Sequence, residues 1–176
     1  MRGLGLSLFL AASLCSGIRG QEPNSASQAP IISCPSTATL DDLIKAIDAA
    51  VSGPGNKDRT CFRALFLPDA RLIPLAQSAD GGYKSRILTV DGWISAVSKR
   101  GSDAFNEHQI SVRSETYGQM AHLWSTYETR AEPSGNPIDR GINSIQAVYD
   151  GKQWRVFQIV WQAETPTNPL PQKYLP

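Results

Sequence analysis

Two residues combine chemistry and spacing suited to proton transfer. His108 carries an imidazole that titrates near neutral pH, and Tyr127 carries a phenol that can steady an enolate or a carbonyl oxygen. They stand in consecutive alternating runs joined at Tyr117-Gly118. If that dipeptide closes a hairpin, His108 opposes Tyr127, Ile110 opposes Ser125 and Val112 opposes Leu123, all on one face with Ala121. The apolar members make this the core face, and a dyad there could serve a dehydration or an isomerisation. The plainer account is a buried tyrosine whose hydroxyl is satisfied by histidine, a structural hydrogen bond.

The turn signal Asp150-Gly151 aligns a second hairpin. It places Trp154 opposite Ala147, Val156 opposite Ile145 and Gln158 opposite Asn143. Asn143 and Gln158 are then buried amides that either bond each other or await a ligand. Tyr83, Trp93 and Trp161 could supply the aromatic walls of a small-molecule pocket, or pack as ordinary core. Asp69 follows a proline, where an aspartate makes a turn or a cap more often than it catalyses. The same register sets Glu107 opposite Glu128 on the outer face, where with Glu164, Arg113 and Arg130 they form a solvated ion-pair network rather than a metal site. Serine-nucleophile motifs, phosphate-cradling glycine loops and zinc spacing are missing, so the sequence implies no cofactor and no metal.

The elements that must position these groups read clearly in places. Thr39 with Asp42 forms a capping box ahead of Leu40, Leu43, Ile44, Ile47 and Val51, and Gly53-Pro54 stops that helix. A second helix carries Cys61, Phe62, Leu65 and Phe66 and ends before Pro68. Short strands are predicted over 70–75 and 86–90. Asp91 is expected to cap a third helix bearing Trp93, Ile94 and Val97, with Gly101 as its stop. Strand follows strand from there to Glu164. This order indicates α+β with a mostly antiparallel sheet. In the last hairpin both faces carry large apolar groups, with Phe157, Ile159 and Trp161 together on the reverse side. One face is therefore expected to meet the helices and the other a second subunit or a ligand, which predicts a homodimer through the sheet.

Length, composition and leader bound the rest. The 176 residues suffice for one domain with a real core, and 41% hydrophobic with 19% charged residues fits a globular protein. A net charge of +1 argues against a nucleic-acid partner. Residues 1–20 read as a signal peptide: Arg2 gives a positive start, Leu4 to Leu14 an apolar run, and Cys15–Gly17 or Gly20 the small residues of a cleavage site. The expected destination is secreted or periplasmic, with no membrane attachment after cleavage. Residues 21–36 form a polar, proline-containing linker, 37–165 the domain, and 166–176 a proline-rich tail. Cleavage would leave Cys34 and Cys61, either a disulfide suited to an oxidising compartment or two unrelated thiols.

Several stretches carry a family likeness: Phe66-Leu-Pro-Asp-Ala70, AHLWSTYETR over 121–130, RGINSIQ over 140–146 and WRVFQIVWQAE over 154–164. With this order of elements, the chain resembles secreted bacterial members of the nuclear transport factor 2-like superfamily, also called ketosteroid-isomerase-like or SnoaL-like. The resemblance spans about Thr37 to Tyr174. It implies a cystatin-like, cone-shaped fold, in which a curved sheet wraps around the N-terminal helices to leave an apolar cavity, and dimerisation through the sheet's outer face. The superfamily hosts isomerases, cyclases, dehydratases, epoxide hydrolases and plain binders. Neither the isomerases' general-base aspartate with its oxyanion hole nor the epoxide hydrolases' Asp-Arg-Asp set can be placed on this sequence. The expected function is binding of a small, mostly apolar ligand in the cone. The alternatives are a cofactor-independent lyase or isomerase using His108 and Tyr127, and a dimeric protein-interaction module.

Overall fold

The computed structural model describes residues 33–176. The predicted signal peptide and most of the linker lie outside the described residues. Helix α1 spans Leu40–Val51 and begins on the expected box: Thr39 accepts from the Asp42 backbone N–H at 3.1 Å, and Asp42 answers the Thr39 N–H and hydroxyl. Such a cap stabilises a helix by about 1 kcal/mol. Leu43, Ala46, Ile47 and Val51 form its buried stripe. A two-residue strand β1 (Gly53–Pro54) and a short helix α2 (Thr60–Ala64) follow. The Arg59 guanidinium caps the end of α1, donating to the carbonyls of Val51 at 2.7 Å and Pro54 at 3.0 Å. Cys34 is bonded to Cys61, which pins the segment before α1 to α2.

Strand β2 runs Phe66–Gln77, so Phe66 opens a strand instead of closing the second helix, and β3 is Tyr83–Ser85. Of the strand expected over 86–90, only a bridge between Leu72 and Leu88 forms. Helix α3, Val90–Ser98, is capped by Thr89, which accepts from the Gly92 N–H at 3.0 Å; Asp91 lies one residue inside the helix. The long strands β4 (Ala104–Tyr117), β5 (Met120–Arg130), β6 (Pro137–Tyr149) and β7 (Trp154–Ala163) complete the sheet. Its order is β1-β4-β5-β6-β7-β2-β3, antiparallel throughout except where β2 runs parallel to β7. The fold is α+β and mostly antiparallel, with the helices on the concave side. Leu43, Phe62, Leu123, Ile145 and Val156 are fully buried at the centre of that core.

Two irregularities decide which side chains point inward. In β4 the register slips at Ile110: Gln109 stands across from Tyr127, and Ser111 already stands across from Thr126. In β7 it slips at Phe157, between the pairs Val156–Ala147 and Gln158–Gln146. Each bulge adds one residue, so side chains before and after it exchange faces. Phe105, Glu107 and Gln109 therefore share the inner face with Val112, while Val156 shares it with Ile159 and Trp161. Phe157 is left 49% exposed.

The outer face carries Trp124, Ile142 and Val160 and is crossed by the C-terminal tail. Thr126 donates to the Tyr174 carbonyl at 2.7 Å, Arg113 donates to the Lys173 carbonyl at 2.5 Å, and the Trp124 and Tyr174 rings lie 5.8 Å apart. Leu170 and Pro171 close over the apolar residues, leaving a hollow of about 260 Å³ beneath them. Part of the surface on which a second subunit is expected is thus occupied by the chain's own tail.

Candidate functional site

The concave side of the sheet holds a cavity of about 300 Å³. Its walls are aromatic and aliphatic: Phe62 from α2, Trp93 and Val97 from α3, Phe105 from β4, and Ile159 and Trp161 from β7. Trp93 stacks on Phe62 with ring centroids 4.3 Å apart, which fixes one wall. Besides Arg100, five polar side chains interrupt this lining: Glu107, Tyr127, Thr129, Asp139 and Asn143. They come from three neighbouring strands, and each faces inward because of the β4 bulge or the ordinary alternation of β5 and β6.

Glu107 is held from behind. The Ser52 hydroxyl, at the end of α1, donates to the Glu107 carbonyl and accepts from its N–H, both at 2.9 Å. Gln109 fastens the next inward position by donating to Asp48 on α1 at 2.9 Å and accepting from the Ser125 hydroxyl. The Glu107 carboxyl is pushed up to about 7 by burial, with the negative charges of Asp48 and Asp139 adding to the effect and the Asn143 amide opposing it. Burial also raises Asp48 and Asp139 above the usual carboxylate range. Tyr127, only 3% exposed, is pushed up by burial and by Asp139 and Glu107, so its phenol stays protonated and able to donate. Its hydroxyl reaches toward Asp139 and lies against Gly141, where a Cβ would come within 2.6 Å of the phenol oxygen.

The arrangement offers a carboxyl group that changes charge near neutral pH, a neutral phenol and an amide at one end of an apolar hollow. Such a set can hold a polar atom of a small molecule, or give and take a proton. Arg100 lies at the rim, its guanidinium 4.3 Å above the Phe105 ring. Among the described residues no group of three potential metal ligands is placed to hold an ion.

The sequence-derived site residues divide between the two faces. Tyr127, Asn143, Trp93 and Trp161 line the cavity. His108 does not: it stands across from Glu128 on the outer face, and its Nε2 lies 2.9 Å from the Glu128 carboxylate. That carboxylate also accepts from Arg130 Nε at 2.8 Å. The His108–Tyr127 dyad is therefore replaced by a half-exposed imidazole against the buried Glu128 carboxylate on one side and a buried phenol on the other, and Glu128 is not the solvated group expected from the sequence. Gln158 stands across from Gln146, away from the cavity, and Asn143 stands across from Trp161. Tyr83 is 46% exposed on the edge strand β3 and does not reach the cavity. Asp69 lies exposed in β2 with its carbonyl accepting from Arg71 at 2.5 Å. Glu107, expected outside and opposite Glu128, is inside and stands across from Thr129. Glu164 pairs with Arg140 at 2.6 Å.

Glu107 and Asp139 are the functional candidates that sequence reasoning missed. One signal pointed to the first: Phe105 and Val112 differ in parity, so a regular strand cannot bury both. An inserted residue between them brings Glu107 inside together with Phe105.

No protein-family model and no curated protein matches the sequence. Solved structures do share its architecture. A protein of unknown function from Mycobacterium tuberculosis superposes with a TM-score of 0.55 at 13% identity, covering 74% of this chain and 73% of that one. A protein with a cystatin-like fold from Nostoc punctiforme gives 0.52 at 13% identity, covering 77% and 99%. A nuclear transport factor 2-like protein from Shewanella baltica gives 0.50 at 14% identity, covering 72% and 91%. The likeness is one of fold: the chain has the cystatin-like architecture of nuclear transport factor 2-like proteins.

Proposed function

We propose that the protein binds a small, mostly apolar molecule in the cone, with the molecule's polar end at Glu107, Tyr127 and Asn143. The observation that carries this reading is the cavity itself: about 300 Å³ of aromatic-walled space in which Glu107, Tyr127, Thr129, Asp139 and Asn143 lie together on the neighbouring strands β4, β5 and β6. Tyr127 and Asn143 are 3% and 7% exposed yet line this space, so their polar atoms are shielded from solvent and available to a molecule that enters it. The test is fluorescence titration with N-phenyl-1-naphthylamine, a neutral apolar probe that brightens when desolvated. Saturable binding to the wild type and its loss in Thr129→Trp, which fills the cavity from the inner face of β5, is the expected result. Equal binding by both proteins would place the probe elsewhere and remove the reading.

A second reading is a cofactor-independent lyase or isomerase. It is favoured by the Glu107 carboxyl standing near pH 7, where a group can both accept and return a proton, with Tyr127 beside it as a neutral donor. In this reading Glu107 takes the role that the sequence suggests for His108.

A further inference from the structure

Acidic groups gather at and behind one part of the cavity lining, Glu107 and Asp48 half-buried and Asp139 exposed, and the walls beside them are aromatic. Glu107 from β4 and Asp139 from β6 line the cavity, and Asp48 from α1 stands behind Glu107. Tyr127 and Thr129 from β5 and Asn143 from β6 are the uncharged polar groups beside Glu107 there. Among the described residues, Arg100 is the only cationic side chain in the cavity lining, and it lies exposed at the mouth. A charge in that position is screened by solvent, as is that of the exposed Asp139, so the half-buried Glu107 carries the argument. Asn143 is what opposes the upward push on Glu107.

We propose that the ligand of this cone is an organic ammonium ion with an apolar body, its charge seated between the Glu107 carboxylate and the faces of Trp161 and Tyr127. The proposal rests on the reading of the cone as a small-molecule site and names the class of molecule. An amine or quaternary ammonium group supplies a cation next to Glu107; the buried Arg59 guanidinium behind Trp93 is spent on the carbonyls of Val51 and Pro54. The ammonium group would relieve the repulsion among the carboxylates, and aromatic faces attract a desolvated cation. The walls already accept cations from the protein itself: Arg100 sits 4.3 Å above Phe105 and Arg59 lies 5.6 Å from the Trp93 ring centre. Polar capacity is also left over. The Asn143 amide can make more hydrogen bonds than its single meeting with Glu107 uses, and the Tyr127 oxygen keeps a lone pair for an ammonium N–H. An anionic guest would face Glu107 and Asp139, with the neutral donors Tyr127, Thr129 and Asn143 beside them and the one lining cation, Arg100, exposed to solvent.

The proposal is tested by titration calorimetry of the full chain with benzyltrimethylammonium, benzyl alcohol and benzoate at pH 6 and pH 8. Benzyltrimethylammonium has no proton to lose, so any pH dependence belongs to the protein. Its affinity is expected to exceed that of the other two at pH 8. It should fall about tenfold at pH 6, as the group near 7 takes up its proton, and Glu107→Gln should remove that fall. Benzyl alcohol or benzoate binding at least as tightly as the cation at pH 8 would overturn the ammonium assignment and leave the cone as a small-molecule site. A pH-independent cation affinity, or an unchanged pH response in Glu107→Gln, would do the same. Failure of all three probes to bind, together with failure of the neutral naphthylamine, would take down both readings.

Discussion

The Glu107 carboxyl and the Asn143 amide meet inside the cone although β5 separates their strands in the sheet. The contact lowers the cost of burying Glu107 but does not cancel it, and the group stands at about 7 against an ordinary value of 4.5. A raised carboxyl binds its proton more tightly in the folded state. Its contribution to stability is complete below about pH 4.5 and is lost as pH rises through 7. The loss amounts to about 3 kcal/mol. Glu107→Gln keeps the shape and removes the titration. Urea unfolding is expected to show the variant and wild type alike near pH 4, and the variant more stable at pH 8. Parallel stability curves from pH 4 to 8 would mean that Glu107 is not shielded as described.

His108→Ala is expected to leave naphthylamine binding unchanged. The imidazole lies on the far side of the sheet, and Arg130 still satisfies Glu128 when it is removed. The stability cost should not exceed about 1 kcal/mol, because the imidazole itself is half-exposed. Tyr127→Ala, by contrast, opens the cavity floor and should cost about 3 kcal/mol. A His108→Ala protein that no longer bound the probe would restore the imidazole to the site.

What the sequence made legible follows from how far each signal reaches. Thr39, Asp42 and the stripe Leu43, Ile47, Val51 are local, and α1 starts and buries itself as they require. The hairpin turns were misplaced by one residue on each side: β4 and β5 close at Tyr117–Met120 rather than around Tyr117-Gly118. That error slides partners along the strands but keeps every side chain on its own face. The bulges at Ile110 and Phe157 invert faces, and they alone moved His108 out, Glu107 in and Gln158 away from Asn143. They also account for the doubly apolar last hairpin, because Val156, Ile159 and Trp161 share one side once Phe157 is looped out. The pairing of β2 with β7 joins residues far apart in the chain and has no local signal at all.

Shortening the chain at Thr165 is expected to promote self-association. The removed segment covers Trp124, Ile142 and Val160, and its departure would expose a contiguous apolar patch in the middle of the outer sheet face. Sedimentation of the full and shortened chains at tens of micromolar should show the larger species, or the larger fraction of it, for the shortened chain. Identical sedimentation would mean that the tail's contacts with Thr126 and Arg113 shield nothing a partner copy could use.

Gly141 and Tyr127 stand directly across from each other on β6 and β5, and the missing Cβ is what admits the phenol. Gly141→Ala would set a methyl group 2.6 Å from the Tyr127 oxygen and against the Gln162 carbonyl. The Gln162 carbonyl cannot yield without disturbing the β6–β7 pairing, and the Tyr127 ring must move as well. A stability loss of about 1–3 kcal/mol is expected, as for other overpacked sites. The diagnostic outcome is partial compensation: in a Tyr127→Phe background the same Gly141→Ala change should cost measurably less, because the phenol oxygen is gone while the ring carbon and the Gln162 carbonyl remain. A double-mutant cycle read by urea unfolding gives that coupling directly, and a coupling of zero would mean that Gly141 is required by the strand pairing alone and not by the phenol it faces.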